Sequence, residues 1–343
     1  MEVMTFRRRC QVVKAREAGQ VMLLEGIAHH YATDYEQVYN KFVPIRVRCF
    51  NMLKTIYDES AWEKAWKEDP TTGVNMMKAA GIDPAHAFDS TAQKYNEQSF
   101  NEEGKKRTAR IIGWLEKQGV NFKGASVLDI GAASGVFSIP FAERGAEVTA
   151  VEPCLPFAKL LEENSQKWAD GKLKIIQDPF EDIDIKMMGW ERAFDIVFAS
   201  MCPVIADWES VEKVLSCGRK FGYISLSAGP REHSLTREIL PLLKHPYNEP
   251  NKAEMIYLIQ LLLLKGYTFH SLVTREMKVT EVSRTAAIQE VMSQLKMYHY
   301  PVDDETHDII KDYLDQHYST NTIPIHQGGR FGKVLIKLQD QSM

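Results

Sequence analysis

The stretch Val127-Leu-Asp-Ile-Gly-Ala-Ala-Ser-Gly135 reads as a buried parallel strand that ends in an acid and opens into a glycine-containing turn. A second stretch, Glu147-Val-Thr-Ala-Val-Glu152, reads as another strand closed by an acid, 17 residues after Gly135. Together they describe the first β-α-β unit of a nucleotide-binding sheet. In such a unit glycines let the backbone approach a ligand, and the acid ending the second strand accepts ribose hydroxyls.

The pattern continues on both sides. Lys172–Asp178, Ala193–Ser200 and Lys220–Ser227 are short apolar runs rich in β-branched and aromatic residues. Helical patterns over Phe157–Ala169 and Trp208–Ser216 separate them. Strands that alternate with helices of this length give β-α-β units and a parallel sheet. A further helix over Lys252–Lys265 stops at Gly266, and Phe269–Lys278 and Lys333–Leu338 supply two more strands. Between those last strands, helices are expected over Val282–Met297 and Thr306–His317, split near Tyr298, His299 and Tyr300-Pro301. The stretch Gln327-Gly-Gly-Arg330 reads as a flexible turn before the final strand, with Arg330 a candidate partner for a substrate carboxylate.

Glycine spacing narrows the ligand. A dinucleotide turn requires Gly-x-Gly-x-x-Gly, which seats a pyrophosphate on a helix N-terminus. Gly131-Ala-Ala-Ser-Gly135 has no third glycine at the needed offset. The strand-end carboxylate of Asp129 suits a sulfonium cation better than it suits a phosphate. The segment resembles motif I of the class I S-adenosylmethionine-dependent methyltransferases, an acid followed by alternating glycines. Ala133 stands where the middle glycine is common, and its methyl group is expected to set the turn slightly farther from the ligand. The resemblance covers about residues 105 to 340. It implies an α/β fold: a seven-stranded Rossmann-like sheet with an N-terminal helical extension and a helical insertion before the last strand. It also implies that the seventh strand runs antiparallel beside the fifth, and that S-adenosylmethionine is the cofactor, leaving as S-adenosylhomocysteine.

The cofactor candidates follow from that frame. Asp129, Gly131, Ala133, Ser134 and Gly135 form the turn, with Ser134 a candidate donor. Glu152 offers two acceptor oxygens to a vicinal diol, and Pro153 and Cys154 follow it. The resemblance implies an adenine-directed acid at Asp178, with Pro179 and Phe180 packed nearby. Ala87-Phe-Asp-Ser-Thr-Ala-Gln-Lys-Tyr-Asn96 resembles the segment preceding the sheet in many small-molecule methyltransferases, which implies that Phe88 and Tyr95 border the cofactor. A sulfonium gains from such aromatic faces.

The loop Ser200-Met-Cys-Pro-Val-Ile205 shares only Ser200 and Pro203 with the Pro-Pro-aromatic signature of DNA and protein amide N-methyltransferases, which argues against an acceptor of that kind. Methyl transfer draws mainly on alignment, and a base is needed only where the acceptor must first lose a proton. Candidates for a catalytic role are His233, Tyr31, His30 (with its neighbour His29) and Cys202.

The remaining residues bound the class of protein. The 343 residues are 44% hydrophobic and 26% charged, with net charge −4 and a pI near 6.2. That balance lacks the basic face of a nucleic-acid enzyme. Five scattered cysteines include no C-x-x-C pair, so neither a disulfide framework nor a metal site is expected. No apolar run approaches the roughly 18 residues of a membrane helix, and Arg7–Arg9 precede no signal-like core, so a cytoplasmic location is expected. Helices are expected over residues 15 to 56, broken at Pro44, over Glu59–Lys67 and Asn75–Ala80, and over Ser99–Gln118 with a capping box from Ser99 to Glu102. The expected domains are residues 1–100, a helical extension acting as lid or homodimer contact, and 101–343, the methyltransferase domain with its insertion at about 280–325. The expected activity is S-adenosylmethionine-dependent methyl transfer to a small molecule, without nucleic acid or membrane partners. An RNA or protein methyltransferase and a non-catalytic S-adenosylmethionine-binding sensor or assembly subunit remain open alternatives.

Overall fold

Successive residues of β1 (Ser126–Ile130) serve opposite faces of a sheet. Val127 joins Ile111, Ile112, Leu115 and Phe141 in one core, and Leu128 joins Val211, Leu215, Leu258 and Leu262 in the other. Burial on both faces is what a parallel strand between two helical layers requires. Each fully buried Leu, Ile or Phe contributes about 1.5–3 kcal/mol. These cores therefore fix the sheet before any loop is considered.

In the computed structural model, which describes residues 56–83, 86–166, 172–244, 253–297 and 300–339, four helices precede the sheet. They are α1 (Glu59–Glu68), α2 (Gly73–Ala79), α3 (Ala92–Phe100) and α4 (Glu102–Lys117). After β1 come α5 (Ser138–Glu143), β2 (Glu147–Val151), α6 (Leu155–Ser165), β3 (Leu173–Ile176), β4 (Phe194–Ser200) and α7 (Trp208–Ser216). Then follow β5 (Gly218–His233), α8 (Ser234–Ile239), α9 (Glu254–Leu264), β6 (Phe269–Ser283), α10 (Arg284–Met297), α11 (Asp304–His317) and β7 (Thr322–Lys337). The strands form one sheet in the order β3-β2-β1-β4-β5-β7-β6. The first five run parallel, and β7 lies antiparallel between β5 and β6, as expected. The helices expected over residues 15 to 56 lie almost wholly outside the described residues, as do His29, His30, Tyr31, Tyr298 and His299. Residues 58–343 are one compact unit, so α1 to α4 pack with the sheet.

The outer strands are longer than expected, at 16, 15 and 16 residues for β5, β6 and β7. β5 continues past Ser227, where the sequence analysis ends that strand, through an irregularity at Gly229-Pro230. The β5–β7 ladder breaks after Ser227 and resumes at Arg231. Gly328 and Gly329, expected as a flexible turn, sit inside β7 opposite Met277 and Glu276. A Cβ at Gly328 would collide with the Glu276 carbonyl, so close strand approach explains that glycine. The far ends of these strands carry α10 and α11, which bury Val291, Leu295, Ile310 and Leu314 against Leu235, Ile239, Ile323 and Ile325. The expected insertion is thus a cap with its own small core.

The start of α4 also corrects the sequence reading. Ser99 lies within α3 and is buried. Asn101 caps α4 instead, its side chain accepting from the Gly104 N–H at 2.9 Å. The two helices meet so tightly that a Cβ on Gly104 would fall against the Gln98 and Ser99 carbonyl oxygens. Backbone cannot swing aside as a side chain can. Gly104→Ala is therefore expected to destabilise the protein by roughly 1–3 kcal/mol, seen as a lower urea midpoint. An unchanged midpoint would show that the α3–α4 corner relaxes freely.

Candidate cofactor site

β1 hands the chain to a turn that folds back onto β2. The Gly131 and Ala132 N–H groups both donate to the Val151 carbonyl, at 2.9 and 3.1 Å. Gly131, Ala133 and Gly135 adopt φ of 70°, 47° and 88°. Glycine takes such values freely, whereas alanine at positive φ costs on the order of 1 kcal/mol. The Ala133 N–H is held by Glu152 Oε2 at 2.7 Å, and this bond stabilises the strained residue. Glu152 Oε1 accepts from the Cys154 N–H at 2.9 Å. One buried carboxylate, 6% exposed, thus ties the turn after β1 to the chain leaving β2. Burial pushes its pKa up, and the two N–H donors oppose that shift.

Asp129, the strand-end carboxylate of β1, is closed off from solvent. It is 2% exposed and accepts from Ser138 Oγ at 2.5 Å. Burial pushes its pKa up to about 7, against the Ser138 hydrogen bond. Ser134 is fully buried, and its hydroxyl has no hydrogen-bond partner among the described residues. Its carbonyl accepts from Asn164, whose amide also donates to Asn96.

That Asn96–Asn164 bond is one of several that seat α3 beside the turn. The Tyr95 and Phe157 rings meet edge to face at 5.3 Å, and Phe88 lies 6.4 Å from the same ring. Cys154 Sγ donates to Asp89 at 3.2 Å, which, with His86, holds the Asp89 pKa down. Phe88 and Tyr95 remain more than a third exposed, which leaves aromatic surface beside the turn. Asp129 and Glu152 both act electrostatically on the Tyr95 hydroxyl, whose pKa is raised chiefly by burial.

The other candidates divide. Pro153 follows Glu152 and is half-buried, as is Pro179, while Asp178 beyond β3 is exposed. Phe180 is 1% exposed and belongs to the main core, with the Lys213 ammonium 5.2 Å from its ring centre. Ser200 ends β4 with its hydroxyl 3.0 Å from that of Ser225. Cys202 lies directly beneath Gly131, where a Cβ would strike its sulfur, and burial pushes its thiol up to about 12. Its side chain packs against the turn as a small buried group. His233 is not brought to the turn. It lies eight residues beyond Ser225 on β5, roughly 26 Å of extended chain, and caps α8 by accepting from the Thr236 N–H. Arg330 pairs with Arg275 one face away from Lys333, lying against Gly229, so it does not face the turn.

Sequence reasoning missed Ser138, Asn96, Asn164 and Ser225, because each acts through a partner distant in the chain. It also missed Met201, whose φ of 53° marks a second strained residue at the end of β4. Only its place after a strand in a parallel sheet could have flagged it.

With this geometry in place, the class of the domain follows. Residues 128–219 match the family model described as a methyltransferase domain. Over that stretch the chain resembles a methyltransferase domain. A stretch of 106 residues is 29% identical to a cypemycin N-terminal methyltransferase from Streptomyces, covering 31% of this chain and 40% of that protein. The match thus spans less than half of that relative's length. Similar solved structures include magnesium protoporphyrin IX methyltransferase from Synechocystis with S-adenosylhomocysteine bound. It is 12% identical over 68% of this chain and 82% of that one, with a TM-score of 0.38. Another is a Haemonchus contortus N-methyltransferase in complex with phosphomonomethylethanolamine and S-adenosylhomocysteine. It is 14% identical over 77% of this chain and 59% of that one, with a TM-score of 0.42.

The clamp makes a prediction about stability. Glu152→Ala leaves the Ala133 and Cys154 N–H groups unpaired, and each such group costs about 1–3 kcal/mol. Glu152→Gln keeps one acceptor oxygen and is expected to lose less. Denaturant unfolding of both variants would show the ordering, and equal losses would sink the bridging role.

Proposed function

We propose that this protein transfers a methyl group from S-adenosylmethionine to a small-molecule acceptor. The observation that carries the reading is the Glu152 bridge beside the unpartnered Ser134 hydroxyl. Each Glu152 oxygen accepts one backbone N–H and retains a further lone-pair site, which suits the two hydroxyls of a ribose. The buried Ser134 hydroxyl lacks the partner that buried polar atoms normally have, and a bound ligand would supply one. Asp129, poised near neutrality, suits a cationic neighbour. The residues therefore fit the cofactor.

In this reading Asp129, Gly131, Ala133, Ser134 and Gly135 hold the methionine end, and Glu152 with Pro153 holds the ribose. Asp178 and Pro179 border the base, and Phe88, Tyr95 and Ser200 enclose the reacting side. The cofactor supplies an already activated methyl group, so the protein's work is alignment and exclusion of water. The aromatic surface of Tyr95 and Phe88 favours a sulfonium beside it. A small acceptor is supported by the helical cap on β5–β7 and by α3 beside the turn, because enclosed sites suit small ligands. The Streptomyces relative is named as an N-terminal methyltransferase, so acceptor classes are best compared directly. With methyl-labelled S-adenosylmethionine and a size-fractionated lysate, label is expected in the small-molecule fraction. Label confined to protein or RNA would overturn the choice of acceptor.

Asp129 gives a pH test. Its folded pKa of about 7 lies above the ordinary 3.8, so the native state holds the proton longer than the unfolded chain. Stability therefore falls as pH rises from about 4 to about 7 and is level above. Affinity for the cationic cofactor moves the opposite way, since ionised Asp129 attracts it. Calorimetric titration is expected to show tighter S-adenosylmethionine binding at pH 7.5 than at pH 5.5. Asp129→Asn should reduce both slopes, the remainder coming from Glu152, whose pKa is also raised by burial; slopes unchanged in that variant would place the titrating group elsewhere.

A further inference from the structure

Beyond Ser200 a line of polar groups crosses the sheet away from the turn. Ser200 on β4 meets Ser225 on β5, and Ser225 stands opposite Lys333 on β7. Lys333 is 4% exposed, and its ammonium donates to Thr274 Oγ1 at 2.5 Å and to Glu276 Oε1 at 3.1 Å, both on β6. Tyr223, two residues before Ser225 and on the same face, is fully buried, with its hydroxyl beside those of Ser225 and Ser200. This face is the one covered by α4, because Leu335, two residues after Lys333, packs with Ile111 and Ile112. From β4 to β6 the line spans three strand spacings, roughly 14 Å.

The charges around its outer end do not balance. Arg107, one helical turn before Ile111 on α4, acts electrostatically on Tyr95, Glu276 and Lys278. It makes no ion pair among the described residues, and it is half-buried. Lys94 on α3 lies 3.7 Å from Glu290 on α10, and Lys278 on β6 donates to Gln98 on α3 at 3.1 Å. Lys94, Arg107, Lys278 and Lys333 thus share two carboxylates, Glu276 and Glu290. Burial, then the Arg107 and Lys94 charges, hold Lys278 below the ordinary lysine range. Tyr95 joins the two regions, since its hydroxyl feels Asp129 and Glu152 on one side and Arg107 on the other.

We infer that Arg107 and Lys278, above the buried Lys333–Glu276 pair, bind an anionic group of the methyl acceptor, a carboxylate or a phosphate. The inference rests on the methyl-transfer reading and specifies the substrate class of that site. Lys333 and Glu276 satisfy each other and form the floor, whereas Arg107 and Lys278 form no ion pair among the described residues, their nearest carboxylates Glu276 and Glu290 already being engaged by Lys333 and Lys94. The acceptor is then an elongated small molecule, with its anion on the order of 10 Å from the reacting atom.

The test uses the full chain saturated with S-adenosylhomocysteine, titrated calorimetrically with inorganic phosphate and, separately, with succinate. Wild type is expected to bind at least one of the two, and which one assigns the anion. The double variant Arg107→Gln with Lys278→Gln is expected to weaken that binding about ten-fold or more. Arg330→Gln, on the opposite face of the sheet, is expected to leave it unchanged. S-adenosylhomocysteine affinity should stay the same in every variant, which shows that the fold and the cofactor site survive. Binding of neither anion overturns the inference, as does an equal loss in the double variant and in Arg330→Gln. Failure of wild type to bind S-adenosylhomocysteine would instead overturn the methyl-transfer reading, so the two failures are distinguishable.

Discussion

A single buried carboxylate holds the centre of this molecule together. Glu152 accepts one N–H from the turn after β1 and one from the chain leaving β2. Those segments sit side by side because β1 and β2 pair in parallel register, which brings both strand ends to one edge. Without an acceptor there, the left-handed Ala133 would carry both its strain and an unpaired amide. The clamp therefore sets the shape of the turn as well as presenting oxygen atoms at the sheet edge. Its neighbour Asp129 shares the low-dielectric surroundings, and burial is what raises its pKa, with a smaller push from the Glu152 charge.

The helix α3 extends that centre outward. On one side it meets α6 through Tyr95, Asn96 and the preceding Asp89. On the other, Lys94 and Gln98, one turn apart, reach α10 and β6. A short helix thus touches both the turn region and the cap that rides on the long outer strands. Its position is fixed by the tight corner at Gly104, where only a residue without a side chain fits.

Much of this was legible in the chain. The β1 and β2 motifs, the helix over Trp208–Ser216 and the cap helices were read from periodicity, with ends within a few residues. Misreadings occurred where local signals have two meanings. Gly328-Gly329 is ordinary turn chemistry, yet here it allows a close approach within a continuing strand. Ser99 and Asn101 are both good caps by composition, and packing of α3 on α4 assigned the role to Asn101. His233 followed a strand, as a catalytic residue might be expected to, but β5 runs on and carries it into the cap.

The sequence by itself determined the order and type of the elements, because periodicity and glycine spacing are properties of neighbouring residues. It determined Glu152 and the 131–135 turn for the same reason, since strand-turn-strand chemistry is local. Only the tertiary structure decided which groups share an environment. It placed Asp129 against Ser138, left the Ser134 hydroxyl without a partner among the described residues, and gathered Lys94, Arg107, Lys278 and Lys333 from four elements around two acids. Burial and Coulomb interactions depend on distance in space, and residues far apart in the chain carry no mark of meeting there.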